Sequence, residues 1–67
     1  MRCYQHWSTE TLINKKKFLE EDIADWNRTL SQTKSLIITK SLTYAVKRAN
    51  EQIHAINAEL FYRENNK

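Results

Sequence analysis

The 67-residue sequence contains neither glycine nor proline. These two residues normally supply the backbone conformations of tight turns, glycine through positive φ angles and proline through a fixed φ. Folds built from many β-strands need many such turns, so the composition argues against them. A hydrophobic content of 40% together with 28% charged residues predicts a folded, amphipathic helical protein instead.

The sequence also lacks the features of secreted and membrane proteins. Its single cysteine cannot form a disulfide within the chain, and it contains no run of 18 apolar residues. No hydrophobic core of a signal peptide is present either. We therefore expect a cytoplasmic protein with no membrane partner.

One stripe of apolar residues predicts a first helix over residues 8–31. At about 100° per residue the stripe occupies one narrow face. Its members are Leu12, Leu19, Ile23, Trp26 and Leu30. Ser8 or Thr9 fits the N-cap, and Glu10 is well placed in the first turn to interact with the helix dipole. Residues 1–7 show no periodicity and are interpreted as a lead-in.

A second and longer stripe predicts a helix over residues 36–63, followed by a frayed tail at 64–67. Its members recur every three or four residues: Ile38, Leu42, Ala45, Ala49, Ile53, Ile56 and Leu60. Residues 32–35 carry polar side chains that compete with helix continuation, so they predict a turn. The alternative is one bent helix, because Ile37 also continues the phase of the first stripe.

The predicted fold is all-α, an antiparallel two-helix hairpin that dimerises into a four-helix bundle. A chain of 67 residues is near the lower size limit for a single stable core. A hairpin alone leaves much of each apolar stripe uncovered, whereas a second copy closes the core. We therefore expect a single-domain homodimer.

The stretch from Arg28 to Arg48 contains five basic residues and no acidic one, in a chain of net charge +3. Lysine and arginine hold backbone phosphates with help from hydroxyl groups, and tyrosine can stack on an unpaired base. The candidate nucleic-acid contacts are Arg28, Lys34, Lys40, Tyr44, Lys47 and Arg48. The alternative interpretation is a solvated helix end whose cations only aid solubility.

The sequence offers no complete set of metal ligands or catalytic groups. Glu51 and His54 have the spacing of a di-metal carboxylate site, but both fall on the outer face of the second helix. Cys3 and His6 supply only two of the four ligands that a structural zinc ion requires. We therefore expect no enzyme activity, no cofactor or metal, and no small-molecule substrate.

Four aromatic residues lie off the apolar stripes, namely Tyr44 of the basic stretch and a further three: Phe18, Phe61 and Tyr62. They could be covered by the N-terminal segment or by a wide dimer interface, or they could anchor a protein partner. We interpret the protein as a small interaction or regulatory protein that self-associates and binds a protein partner through these aromatics. Binding of RNA or DNA through the basic stretch is the alternative function.

Overall fold

In a computed structural model, which describes residues 4–65, the chain forms two helices joined by a short linker. Helix α1 spans Thr9–Gln32 and helix α2 spans Leu36–Asn65. The two helices pack against each other side by side, and residues 4–65 contain no strand. The all-helical, two-helix prediction is therefore confirmed, whereas the four-helix bundle stays a prediction.

Helix α1 begins at an N-cap formed by a serine. Ser8 has an extended backbone, and its Oγ accepts a hydrogen bond from Thr11 N at 3.1 Å. Glu10 lies in the first turn, where its carboxylate interacts favourably with the positive end of the helix dipole. The Ser8 bond satisfies one of the amide groups that a helix leaves without an intrahelical partner.

The linker between the helices reverses the chain without glycine. Thr33 leaves α1 in an extended conformation, with φ −83° and ψ 144°. Its Oγ1 accepts from Ser35 N at 3.2 Å, and Ser35 Oγ then accepts from Ile38 N at 3.3 Å. No residue from 4 to 65 has a positive φ angle. Hydroxyl side chains that bond to nearby amides thus form a turn that usually relies on glycine.

The bounds of the helices differ by one or two residues from those expected. Helix α1 occupies 9–32 where 8–31 was predicted, and the linker covers 33–35. Helix α2 runs to Asn65, two residues beyond the predicted end, and Asn65 Nδ2 donates to Phe61 O at 2.9 Å. Parts of the predicted lead-in and tail, residues 1–3 with Cys3 and residues 66–67, lie outside the described residues.

The buried core is confined to one half of the hairpin. In the part of the chain that the structure describes, four apolar side chains are buried: Leu12, Leu19, Ala49 and Ile56. The partly buried residues that pack against them are Tyr4, Ile23, Trp26, Ile53 and Leu60. We call residues 4–19 with 49–65 the open end, which contains all four of these apolar side chains, and residues 20–48 the bend end.

One residue of the predicted core stripes is exposed. Ile38 is 44% exposed, although its position continues the stripe of α2. Only Leu30 of the α1 stripe lies near this level of the hairpin, and it is itself only half-buried. The periodicity correctly assigns the face of Ile38, but too little of α1 lies opposite it to bury the side chain.

The helices are long for such a small protein. The principal extents of the molecule are 49, 20 and 16 Å, so the hairpin is a thin rod. Within residues 4–65, neither helix is both long enough and apolar enough to cross a membrane.

Candidate interaction surfaces

The guanidinium group of Arg63 joins the N-terminal segment to the helices. Its Nε donates to Glu59 Oε2 at 2.7 Å, and its Nη1 donates to Thr9 Oγ1 at 3.0 Å. Its Nη2 donates to the carbonyl oxygen of Tyr4 at 3.1 Å and to that of Trp7. Charge-assisted bonds from one planar group fix several acceptors at once. Arg63 thereby holds together the segment before α1, the start of α1 and the end of α2.

The acidic partner of this group is buried. Glu59 is only 3% exposed, because it lies on the same face of α2 as the buried Ile56. A buried carboxylate is costly unless it is paired, and Arg63 provides the opposite charge. The sequence interpretation did not single out this pair. The spacing of the two residues could have predicted the pair, since a glutamate four residues before an arginine favours an ion pair on a helix.

The segment before α1 folds into a turn that rests on the open end. Trp7 N donates to Tyr4 O at 3.0 Å, which closes the turn. The two rings pack edge to face with their centroids 4.8 Å apart, and Tyr4 also packs against the core. This part of the predicted lead-in is therefore docked on the helices.

The first turn of α2 presents large aliphatic side chains to solvent at the tip of the bend end. Leu36 is 69% exposed and Ile37 is 79% exposed, and Ile38 follows them. Lys34 and Lys40 flank this apolar tip in the sequence. Contiguous exposed apolar groups of this kind mark surfaces that bind another molecule.

A groove with a volume of about 310 Å³ lies between the helices near the middle of the rod. Its lining residues are Leu19, Trp26, Tyr44, Ala45, Arg48, Ala49 and Gln52. The two alanines are the small residues of the α2 stripe, and they leave space beside the indole of Trp26. Tyr44 is exposed and stands at the edge of this groove, which we call the central groove.

A second groove, of about 490 Å³, lies at the open end. It is lined by Thr9, Ile13, Leu60, Arg63 and Glu64. Ile13 is 52% exposed, so an apolar side chain lies beside the charged groups of Arg63 and Glu64. This groove and the central groove lie at different levels of the rod and share no lining residue.

Four of the six predicted nucleic-acid contacts lie close together on α2. Lys40, Tyr44, Lys47 and Arg48 fall within about two to three turns of that helix and are all exposed. None of the three cations is in an ion pair within residues 4–65. These residues form a basic row along α2, in which Lys40 and Lys47 point outward and Tyr44 and Arg48 also line the central groove.

The other two predicted contacts are separated from this row. Arg28 lies on α1, about 180° around the helix from Leu19, so it is on the far side of the hairpin. It forms an exposed ion pair with Asp25 at 3.9 Å. Lys34 lies in the linker. The predicted basic surface is thus divided between two sides of the bend end.

The three predicted partner-binding aromatics are exposed but point in different directions. Phe61 and Tyr62 are consecutive residues of α2, so their side chains diverge by about 100°. Phe18 lies on α1, on the side of the hairpin that Tyr62 shares and Phe61 does not. Neither groove includes any of the three. Phe18 and Phe61 therefore belong to opposite sides of the rod.

The residues considered as metal ligands are also on the surface. Glu51 and His54 are both exposed. Within residues 4–65, no three histidine, cysteine or acidic side chains form a group that could hold a metal ion.

Comparison of the chain with family models, with curated proteins and with solved structures finds no match.

Proposed function

We propose that this protein is a small, non-enzymatic interaction protein that self-associates and binds a protein partner through exposed aromatic residues. The observation that supports it is an excess of exposed surface. A compact protein of 8.0 kDa exposes about 4,450 Å² by the usual scaling of area with mass, whereas this chain exposes 5379 Å². The excess of about 900 Å² is close to the area that one partner buries in a standard protein interface.

The character of the exposed surface supports the same proposal. Among residues 4–65, only four apolar side chains are buried, whereas nine large apolar or aromatic ones are exposed. The exposed residues are Trp7, Ile13, Phe18, Leu36, Ile37, Ile38, Tyr44, Phe61 and Tyr62. With so little burial, the hairpin alone is only marginally stable against the conformational entropy lost on folding. A second copy is the simplest source of the missing burial.

Self-association is tested by native mass spectrometry and by urea unfolding at several protein concentrations. We expect a two-chain mass. We also expect the urea midpoint of unfolding to rise with protein concentration, because association of folded chains stabilises the folded state by mass action. A one-chain mass with a midpoint independent of concentration contradicts self-association.

The protein partner is sought by native mass spectrometry of tagged protein recovered gently from its source cells. Because Phe61 and Tyr62 diverge on α2, single Phe61→Ser and Tyr62→Ser variants, with Phe18→Ser on α1, separate the candidate anchors. Ala58→Ser is the matched control, since it makes an exposed apolar residue of the same helix polar. Loss of a defined protein mass in an aromatic variant, with the control unchanged, is the expected result. Retention in all three variants contradicts this surface.

Nucleic-acid binding is a second candidate because Lys40, Lys47 and Arg48 form a row that has no acidic partner in residues 4–65. The probe is a fluorescent single-stranded oligonucleotide titrated at several salt concentrations. If the row binds phosphates, affinity falls steeply with salt, and replacing these three residues by glutamine removes most of it. Replacing Lys15, Lys16 and Lys17 by glutamine is the control, because it removes the same charge from the open end. Equal losses in both triple variants indicate nonspecific attraction and contradict this candidate.

A further inference from the structure

We propose that the second copy docks on the central groove with the bends of both copies at the same end, so that Asp22 of each chain faces Arg48 of the other. This inference rests on the proposed self-association and adds the face, the orientation and the residues. It follows from the shape of the groove, the charges at its rims and the symmetry of a two-chain complex.

The floor of the central groove suits close packing of another helix. It is formed by Leu19 and Trp26 from α1 and by Ala45 and Ala49 from α2. Alanines allow the backbone of a second helix to approach closely, and the partly exposed indole of Trp26 supplies apolar area. The exposed ring of Tyr44 borders the same floor. A helix laid over this groove would cover side chains that the hairpin leaves partly exposed.

The two rims of the groove carry opposite charges. On α2, Arg48 lies about 100° from Ala49, and on α1, Asp22 lies about 60° from Leu19 in the same rotational sense. In antiparallel helices, equal rotational senses point to the same side of the pair. Asp22 and Arg48 therefore lie on the side of the hairpin to which the groove opens, on opposite helices. Arg48 lines the groove itself, and helix geometry places Asp22 beside it. Both are exposed, and Asp25 extends the acidic rim by one turn.

Symmetry then distinguishes the two ways of stacking the grooves of two copies. A two-fold axis parallel to the helices places α1 of each copy over α2 of the other, so Asp22 and Asp25 meet Arg48 of the second copy. A two-fold axis across the helices at the groove places each helix over its own equivalent, so Arg48 meets Arg48 and Asp22 meets Asp22. Like charges facing each other disfavour the second arrangement. The first arrangement puts both bends at the same end.

The first test uses charge reversal at the rims, measured as the dimer dissociation constant at low salt. Arg48→Glu alone, and Asp22→Lys with Asp25→Lys, each place like charges opposite one another, so each should weaken the dimer about tenfold or more. Combining all three changes in one chain reverses both rims and should restore the dimer. Added salt should reduce these differences, because it screens exposed charges.

The control for Arg48→Glu is Lys47→Glu. It makes the same change of charge one residue earlier, but Lys47 points about 160° away from Ala49, to the outer side of α2. We expect Lys47→Glu to leave the dissociation constant within about twofold of the wild-type value, because this charge lies outside the groove. Circular dichroism of each variant checks that the helices remain formed.

The second test measures orientation directly. A Lys34→Cys change in a Cys3→Ser background puts one spin label on the linker of each copy. With both bends at the same end the labels are on the order of 20 Å apart, since neighbouring helices pack at roughly 8–10 Å. With the bends at opposite ends the separation approaches the 49 Å length of the rod. A distance distribution from pulsed electron resonance distinguishes these values.

The outcomes separate this inference from the self-association on which it rests. A wild-type chain that is monomeric by native mass spectrometry overturns both. A wild-type dimer that is weakened equally by Arg48→Glu and Lys47→Glu, or that the triple change fails to restore although its helices are formed, overturns the groove alone. A long label distance overturns the orientation. Restoration by the triple change together with a short distance supports the complete proposal.

Discussion

The open end and the bend end of this hairpin contain similar apolar residues, but they are stabilised in different ways. In the open end, Leu12 and Ile56 are fully buried, and Arg63 ties the N-terminal segment to both helices. In the bend end, Ile37 is 79% exposed, and the hydrogen bonds around Ser35 connect only residues close in sequence. The difference shows where this chain has enough neighbouring structure to bury its apolar stripes.

The two ends differ in burial because different numbers of chain segments meet there. Three segments meet at the open end, namely both helices and the turn from Tyr4 to Trp7. Only the two helices meet at the bend end, and an isolated helix pair covers less than half of each helix. The bend end is therefore the part of the molecule with most to gain from a second copy.

The largest expected change in the free energy of unfolding comes from replacing one isoleucine from each end and comparing the two variants. Ile56→Ala removes a fully buried side chain and should lower the free energy of unfolding by about 2–5 kcal/mol. Ile37→Ala, on the same helix, should change it by less than about 0.5 kcal/mol in the monomer, since Ile37 is 79% exposed. Urea unfolding followed by circular dichroism, at a concentration where the chain is monomeric, measures both. Equal losses contradict the difference between the ends.

An intermediate effect is expected from a pair of arginine changes. Arg63→Ala removes the cation 2.7 Å from the buried carboxylate of Glu59, together with the bonds to Thr9 and Tyr4 O, and should cost about 2 kcal/mol or more. Arg28→Ala removes an exposed pair with a separation of 3.9 Å and should cost less than about 0.5 kcal/mol. Hydrogen exchange supplies a second measurement, because only Arg63→Ala should expose the Trp7 amide that bonds to Tyr4 O. If that amide keeps its protection, Arg63 is not what holds the turn in place.

The smallest expected change in the free energy of unfolding comes from replacing the serines that precede the two helices. Ser8→Ala removes an N-cap bond of 3.1 Å and should cost about 1 kcal/mol. Ser35→Ala removes a longer bond of 3.3 Å to Ile38 N and should cost about 0.5 kcal/mol. The same urea titrations measure both variants. A larger loss for Ser35→Ala would mean that local bonds stabilise the bend end more than the structure suggests.

Much of the fold could be predicted from the sequence because its signals are local. The spacing of Leu12 and Leu19 identified the buried face of α1, and Ser8 was one of two candidates for its N-cap. The polar residues around Thr33 marked the reversal of the chain. In each case the residues that carry the signal lie within one or a few turns of each other, where helix geometry fixes their relative directions.

The candidate site was less predictable because it depends on contacts distant in sequence. Arg63 contacts Thr9, which is 54 residues away, and no local pattern encodes that pairing. The grouping of Trp26 with Tyr44 and Arg48 in one groove likewise requires the relative level of the two helices. Periodicity gives the direction of a side chain around its helix, but it does not give the level at which two helices meet.

The sequence by itself determined that this chain is helical, that it contains two apolar stripes and that it turns between them. These properties arise from turn residues that are absent, from a period of about 3.6 residues and from hydroxyl side chains near helix starts. Only the tertiary structure decided that Glu59 is buried, that Tyr4 docks on the core and that Ile38 remains exposed. Burial is a property of what lies opposite a residue, and that is set by packing between distant segments.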